Sequence, residues 1–202
     1  MPEENIYSAP KAELSVEPID GSEFSFFPTS QTKLIILFIA TFGAYTVYWF
    51  YKNWKLQQER MEKKIRPVVR SVFYIFFTHS FFKRVEEAAI EKEISKSWNA
   101  SLLATILVIL TIVSNVLDRV SARTETYGVV DFASVAIVFV ILIPIYMVQE
   151  VVNKINADPQ GRLNSSFSIY NFIFIVLGVL MWVVLGVGLF QIDVSFLDQF
   201  FT

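Results

Sequence analysis

Residues 41–55 read "TFGAYTVYWFYKNWK", an apolar helix that fills with aromatics and closes on two lysines. Whether this run crosses a membrane decides the fold, because it ends the first long apolar stretch of the chain, Lys33 to Tyr51. Phe38, Phe42, Tyr45 and Trp49 recur at steps of four, three and four, which predicts one aromatic face on a continuous helix. Tyr48 and Tyr51 then fall among interfacial belt residues, with Lys52 and Lys55 in the headgroup layer. Ala40 and Ala44, spaced by four with Gly43 beside them, offer a small patch for close approach of another helix. The aromatic stripe is expected to serve packing rather than to hold a cofactor.

Composition points the same way. Of 202 residues, 54% are hydrophobic and only 18% charged, against roughly 25% charged in a soluble globular protein. Without cysteine, the chain has no disulfide, thiolate metal site or thiol nucleophile. Its first 32 residues carry six acidic groups, one lysine and four prolines, and lack the basic start and apolar core of a cleavable signal peptide. They read as a flexible acidic tail followed by one membrane domain, 33–202. Phe24, Phe26 and Phe27 are placed at the bilayer interface, with Thr29 or Ser30 capping the first helix.

Four runs have the length of spanning helices: about 33–51, 98–117, 131–148 and 168–190. A fifth, 68–82 ("VVRSVFYIFFTHSFF"), reaches only about 22 Å as a helix, short of a core of about 30 Å, and holds Arg70 and His79. Basic residues arbitrate, because Lys and Arg stay cytoplasmic. With 68–82 kept on one side, 13 basic residues face four; with it crossing, eight face eight. The expected fold is therefore an all-α, polytopic helical bundle with four spanning helices and a re-entrant or interfacial cytoplasmic segment. The 52–97 loop is expected in the cytoplasm and both termini outside.

Between the spans, "KNWKLQQERMEKKIR" (52–66) predicts that the first helix continues out of the membrane, supported by Glu59–Lys63 and Glu62–Arg66 pairs. Pro67 stops that helix or opens the next. "KRVEEAAIEKEISKSW" (83–98) predicts a second charged helix, with Ile90, Ile94 and Trp98 on one face leading into the next span. Arg66, Arg70, Lys83 and Arg84 edge the 68–82 segment and are candidates for contact with anionic lipid or a partner.

Catalytic and metal-binding patterns are missing: there is no Gly-rich phosphate loop, nucleophile motif, paired-carboxylate layout or zinc spacing. His79 is a lone histidine and is expected to be a hydrogen-bonded structural side chain. Asp118, Arg119, Asp131 and Glu150 sit at span ends, so no ionisable group lines a path through the centre. Asn115 and Asn171 are expected to make packing contacts between helices. Pro144 should kink the third span and is a candidate hinge. Gly178 and Gly186, eight apart with Trp182 between, form a glycine face for a neighbouring helix.

Three stretches together carry a resemblance: "NIYSAPKAEL" (5–14), "TFGAYTVYWFYKNWK", and "VQEVVNKIN" (148–156) followed by "NSSFSIYNFIFIVLGVLMW" (164–182). They resemble a group of small bacterial inner-membrane proteins whose members often begin with an Asn-x-Tyr-x-x-Pro-x-Ala tail. The resemblance implies a bacterial inner membrane and an envelope role, and supplies no catalytic residue. The expected function is non-enzymatic, through self-association or a membrane-protein partner, in envelope integrity or permeability. The alternative is a small-molecule or lipid transporter or channel. Membrane lipids are the expected contacts, with no cofactor, metal or nucleic acid.

Overall fold

The computed structural model describes residues 24–124 and 128–190; most of the acidic tail lies outside them. Helices α1 (Gln31–Ala40), α2 (Tyr45–Gln58), α3 (Pro67–Val72), α4 (Tyr74–Glu91), α5 (Ala100–Ser121), α6 (Val129–Ile155) and α7 (Ile169–Leu189) follow in order. No strand occurs among the described residues. Three helices, α5, α6 and α7, are long and apolar enough to cross a membrane. At about 1.5 Å per residue they reach about 33, 40 and 31 Å.

The first apolar run is not one helix, which corrects the expected 33–51 span. Helix α1 stops at Ala40 because Phe42 (φ 51°) and Gly43 (φ 83°) are left-handed. The Gly43 amide returns to the Phe38 carbonyl (2.8 Å) and the Phe42 amide to that of Ile39 (3.1 Å), a Schellman closure that satisfies carbonyls left over at the helix end. Thr41 Oγ1 then accepts from the Tyr45 amide (2.9 Å) and starts α2. The chain folds back on itself: Gln57, near the end of α2, donates to the Ser25 carbonyl ahead of α1, and Asn53 accepts from the Phe27 amide. The aromatic face is split accordingly. Phe38 packs under Gly43, Phe42 stacks on Trp182, and Trp49 enters the core.

Two further helix ends differ from expectation. Residues 59–66 are not helical, so α2 ends at Gln58 and the Glu59–Lys63 and Glu62–Arg66 pairs do not form on a helix. Pro67 opens α3, where its missing amide hydrogen costs nothing. Helix α4 covers the second part of the 68–82 segment, runs to Glu91 and closes through a left-handed Glu93 (φ 54°), with the Ile94 amide on the Ala89 carbonyl. Ile90, Ile94 and Trp98 therefore share no helix face.

Helices α4 and α5 run antiparallel, with His79 bonded to Thr105 and Glu86 accepting from the Ala100 amide. Helices α5 and α6 are joined at one end by Ser121 to Asp131 and Ser134 to Asp118. The opposite end gathers the 24–30 segment, the close of α2, the α4–α5 connection and the α6–α7 connection. Here lies the densest core: Phe81 meets the rings of Phe26, Trp49, Phe50 and Trp54 at centroid distances of 5.9, 5.3, 5.4 and 5.6 Å. All five rings are buried, and edge-to-face pairs of this kind add to what area burial supplies.

Candidate functional site

Residues 24–30 bend at 25–26 and have neither a helix nor a sheet to take their peptide groups. Buried backbone must nevertheless be hydrogen-bonded, and here side-chain amides do it. Gln57 donates to the Ser25 carbonyl (2.7 Å) and Asn164 to that of Pro28 (2.9 Å). Asn156 takes the Phe26 amide (3.4 Å) and returns a bond to its carbonyl (2.7 Å); Asn153 does the same at Thr29 (3.2 and 2.9 Å). Phe27 is held by Asn53 at its amide (3.0 Å) and by Gln149 at its carbonyl (3.2 Å). The amides also brace one another: Gln149 accepts from the Trp49 indole (2.5 Å) and donates to Asn153 (2.7 Å). These bonds engage every residue from Ser25 to Thr29. Gly161 (φ 64°) closes the network, because a Cβ there would meet the Thr29 carbonyl at 2.5 Å.

Beside this segment opens a cleft of about 600 Å³, walled by Phe27, Tyr45, Tyr48 and Asn171 and carrying Lys33, Lys52 and Lys55. Lys33 is only 7% exposed. Its ammonium donates to Asn164 Oδ1 (2.6 Å) and the Ser166 carbonyl (2.7 Å), both neutral. Lys52 lies over the Phe27 ring (5.2 Å). Burial pushes both ammonium groups below their ordinary pKa, with repulsion from Lys55 adding to the effect at Lys52. Glu59 is the one carboxylate among the lining residues.

The residues singled out from sequence are distributed as follows. Arg70 stretches over Trp54 (4.3 Å) and Phe77 (5.1 Å), with Arg84 near enough to repel it. Lys83 faces Glu87 at 3.8 Å, and Arg66 is exposed in the connection before α3. The structure brings Ala40 and Gly178 together, so closely that a Cβ on Gly178 would collide with the Ala40 carbonyl. Trp182 adds a bond from its indole to the Ile39 carbonyl (2.9 Å). Gly186 has nothing within 4 Å of where its Cβ would stand, and Ala44 is exposed. Pro144 is buried within a continuous α6.

Asn115 and Asn171 bond within their own helices, to the Thr111 carbonyl and the Ser168 amide, rather than between helices. His79 bonds to Thr105, and Glu150 accepts from Lys154. Among the described residues no group of acidic or histidine side chains is arranged to hold a metal.

Sequence reasoning missed the amide network and the lysine cleft. Gln149, Asn153 and Asn156 stand at steps of four and three, one helix face, and that spacing was their only signal. No family model, curated protein or solved structure matches the chain.

Proposed function

We propose that this chain is a non-enzymatic integral protein of a bacterial inner membrane, working by association with anionic lipid and with other helices in envelope integrity or permeability. Helices α5, α6 and α7 are its three spans. The α1–α2 hairpin is re-entrant and takes the place of a fourth span, since α1 is about 15 Å long and the chain returns to the end it left. The carrying observation is charge. With the hairpin returning, 14 of the 16 lysines and arginines among the described residues fall at the amide-laced end, and Arg119 and Arg123 at the other. That asymmetry makes the amide-laced end cytoplasmic. The tail then stays in the cytoplasm, the segment after α7 lies across the membrane, and no acidic tail need be translocated.

Arg66, Arg70, Lys83 and Arg84 belong to the cytoplasmic face, where each basic residue near an anionic leaflet contributes about 1 kcal/mol of attraction. Single cysteines in this cysteine-free chain test the orientation. Ser8→Cys, Gln58→Cys and Gln160→Cys should resist an impermeant thiol reagent in intact cells, and Thr124→Cys should react. Labelling of Ser8→Cys from outside would sink the three-span reading.

A transporter or channel is the second reading, favoured by the hairpin tip. Phe42 lines a cavity of about 630 Å³ that Asp118 and Asp131 also line, and the lysine cleft opens along the other face of the hairpin at Tyr45. Non-helical backbone at membrane depth is tolerated where it is buried in protein or lines a cavity, a pattern common to conduits. Flux through reconstituted vesicles that disappears on Phe42→Ala would move this reading to first place.

A further inference from the structure

We propose that the cleft between α2, the 24–30 segment and the start of α7 is a binding site for a phosphate-bearing anion, with a phospholipid headgroup of the surrounding leaflet as its source. Three cations line one pocket against a single acid among its lining residues: Lys33, Lys52 and Lys55 against Glu59. Surface lysines commonly avoid such an arrangement, because like charges in a partly dry pocket repel and lose hydration. Lys33 is the clearest sign. It is folded into the protein and donates to an amide oxygen and a peptide carbonyl, so its charge meets no counterion among the described residues. An anion in the cleft would supply one.

Shape and chemistry fit a headgroup. The volume, about 600 Å³, is in the range of small-molecule sites. Lysine ammonium groups bind phosphate as point charges without demanding one geometry. Tyr48 and Asn171 line the same pocket and bring a hydroxyl and an amide, and the positive end of α7 lies at Ser168, also in its wall. Phe24, Phe27 and Leu56 leave an apolar side suited to glycerol and the first methylenes of a chain. The pocket stands where the re-entrant hairpin begins and α7 begins, the level at which headgroups lie if α7 spans.

Binding can be measured on the full chain in a neutral maltoside detergent, so it does not depend on the proposed orientation or physiological role, and those can fail separately. The probes are dioctanoyl phosphatidylglycerol, its phosphatidylcholine counterpart and inorganic phosphate, followed by native mass spectrometry and titration. The glycerol lipid should bind about tenfold tighter than the choline lipid, a difference of about 1.4 kcal/mol. Lys52→Gln with Lys55→Gln should erase that preference. Lys63→Gln with Lys64→Gln, which removes the same charge from the exposed 59–66 connection, should change it less than about twofold. Lys33→Gln should act like the cleft pair; if it fails to fold, the cleft pair carries the test alone.

Competition by phosphate through the same lysines would keep the site and make its source a soluble anion, whereas inert phosphate would assign it to lipid. Equal losses from the two double variants, or equal binding of the two lipids, would overturn the proposal.

Discussion

At the amide-laced end, six side-chain amides hold five residues of non-helical backbone, whereas α7 meets α1 through a glycine contact and an indole bond. The two regions solve different problems. Near the headgroups water competes for every peptide group, so position has to come from hydrogen bonds that are complete and directional. Within hydrocarbon, an apolar face gains nothing by leaving lipid for another apolar face, so a helix is placed by close approach and by the few polar bonds available. Leu177, Leu180 and Val184 of α7 are accordingly exposed on the chain, where a soluble protein would have covered them.

If that contrast is right, the largest loss should follow from cutting the amide network at its centre. Asn153 is buried and holds both peptide groups of Thr29 while accepting from Gln149. Asn153→Leu removes three bonds and orphans the Thr29 amide and carbonyl, a cost of about 3 kcal/mol or more. We expect a large fall in the yield of folded protein and in its melting temperature in detergent. A change below about 1 kcal/mol would mean that the 24–30 segment contributes little to the fold.

The corresponding experiment on the hydrocarbon side compares two glycines of one helix. Gly178→Ala drives a methyl group into the Ala40 carbonyl, and backbone cannot yield as a side-chain tip does. A destabilisation of about 1–3 kcal/mol is expected, read as loss of disulfide cross-linking between cysteines placed at Ile36 and Phe174. Gly186→Ala meets open space and should be neutral or slightly stabilising, since alanine is the better helix former. Equal effects at the two positions would show that the Ala40 contact does not fix α7.

What could be read from sequence follows the same division. The three helices long and apolar enough to cross a membrane announce themselves through long apolar runs, and Pro67 at the first position of α3 is a local rule obeyed. The stops were harder. Three helices end on a left-handed residue that is not glycine: Phe42 after α1, Glu93 after α4 and Ala157 after α6. Without glycine at that position the usual stop signal is lacking, so 33–51 reads as one helix and 83–98 as another. Gly43 was visible but sits one residue later in the closure, where it looks like a packing residue. Gly178 is identifiable from its spacing, yet only the coordinates select Ala40 as its neighbour and leave Gly186 without one. The lysine cleft draws on three separate stretches, and no local pattern joins Lys33 to Ser168.

The smallest effects should separate two glutamates one residue apart on α4. Glu86 accepts from Lys96 (2.5 Å) and from the Ala100 amide at the start of α5, and these partners, Lys96 first, hold its carboxyl below the ordinary range. A depressed folded-state pKa means that the contribution is present above the unfolded value and is lost as pH falls through the folded one. Acidifying from pH 6 to pH 3.5 should therefore lower the melting temperature of the native chain more than that of Glu86→Gln, with the difference opening below about pH 4.5. Glu87 faces Lys83 at 3.8 Å with both side chains mostly exposed, so solvent screens the pair and Glu87→Gln should track the native chain across the same range. Parallel acid curves for native and Glu86→Gln chains would remove the α4–α5 junction from the bonds that hold the amide-laced end together. Divergence at Glu87 instead would mean that exposed charge, rather than the hydrogen-bonded junction, sets the acid response of that end.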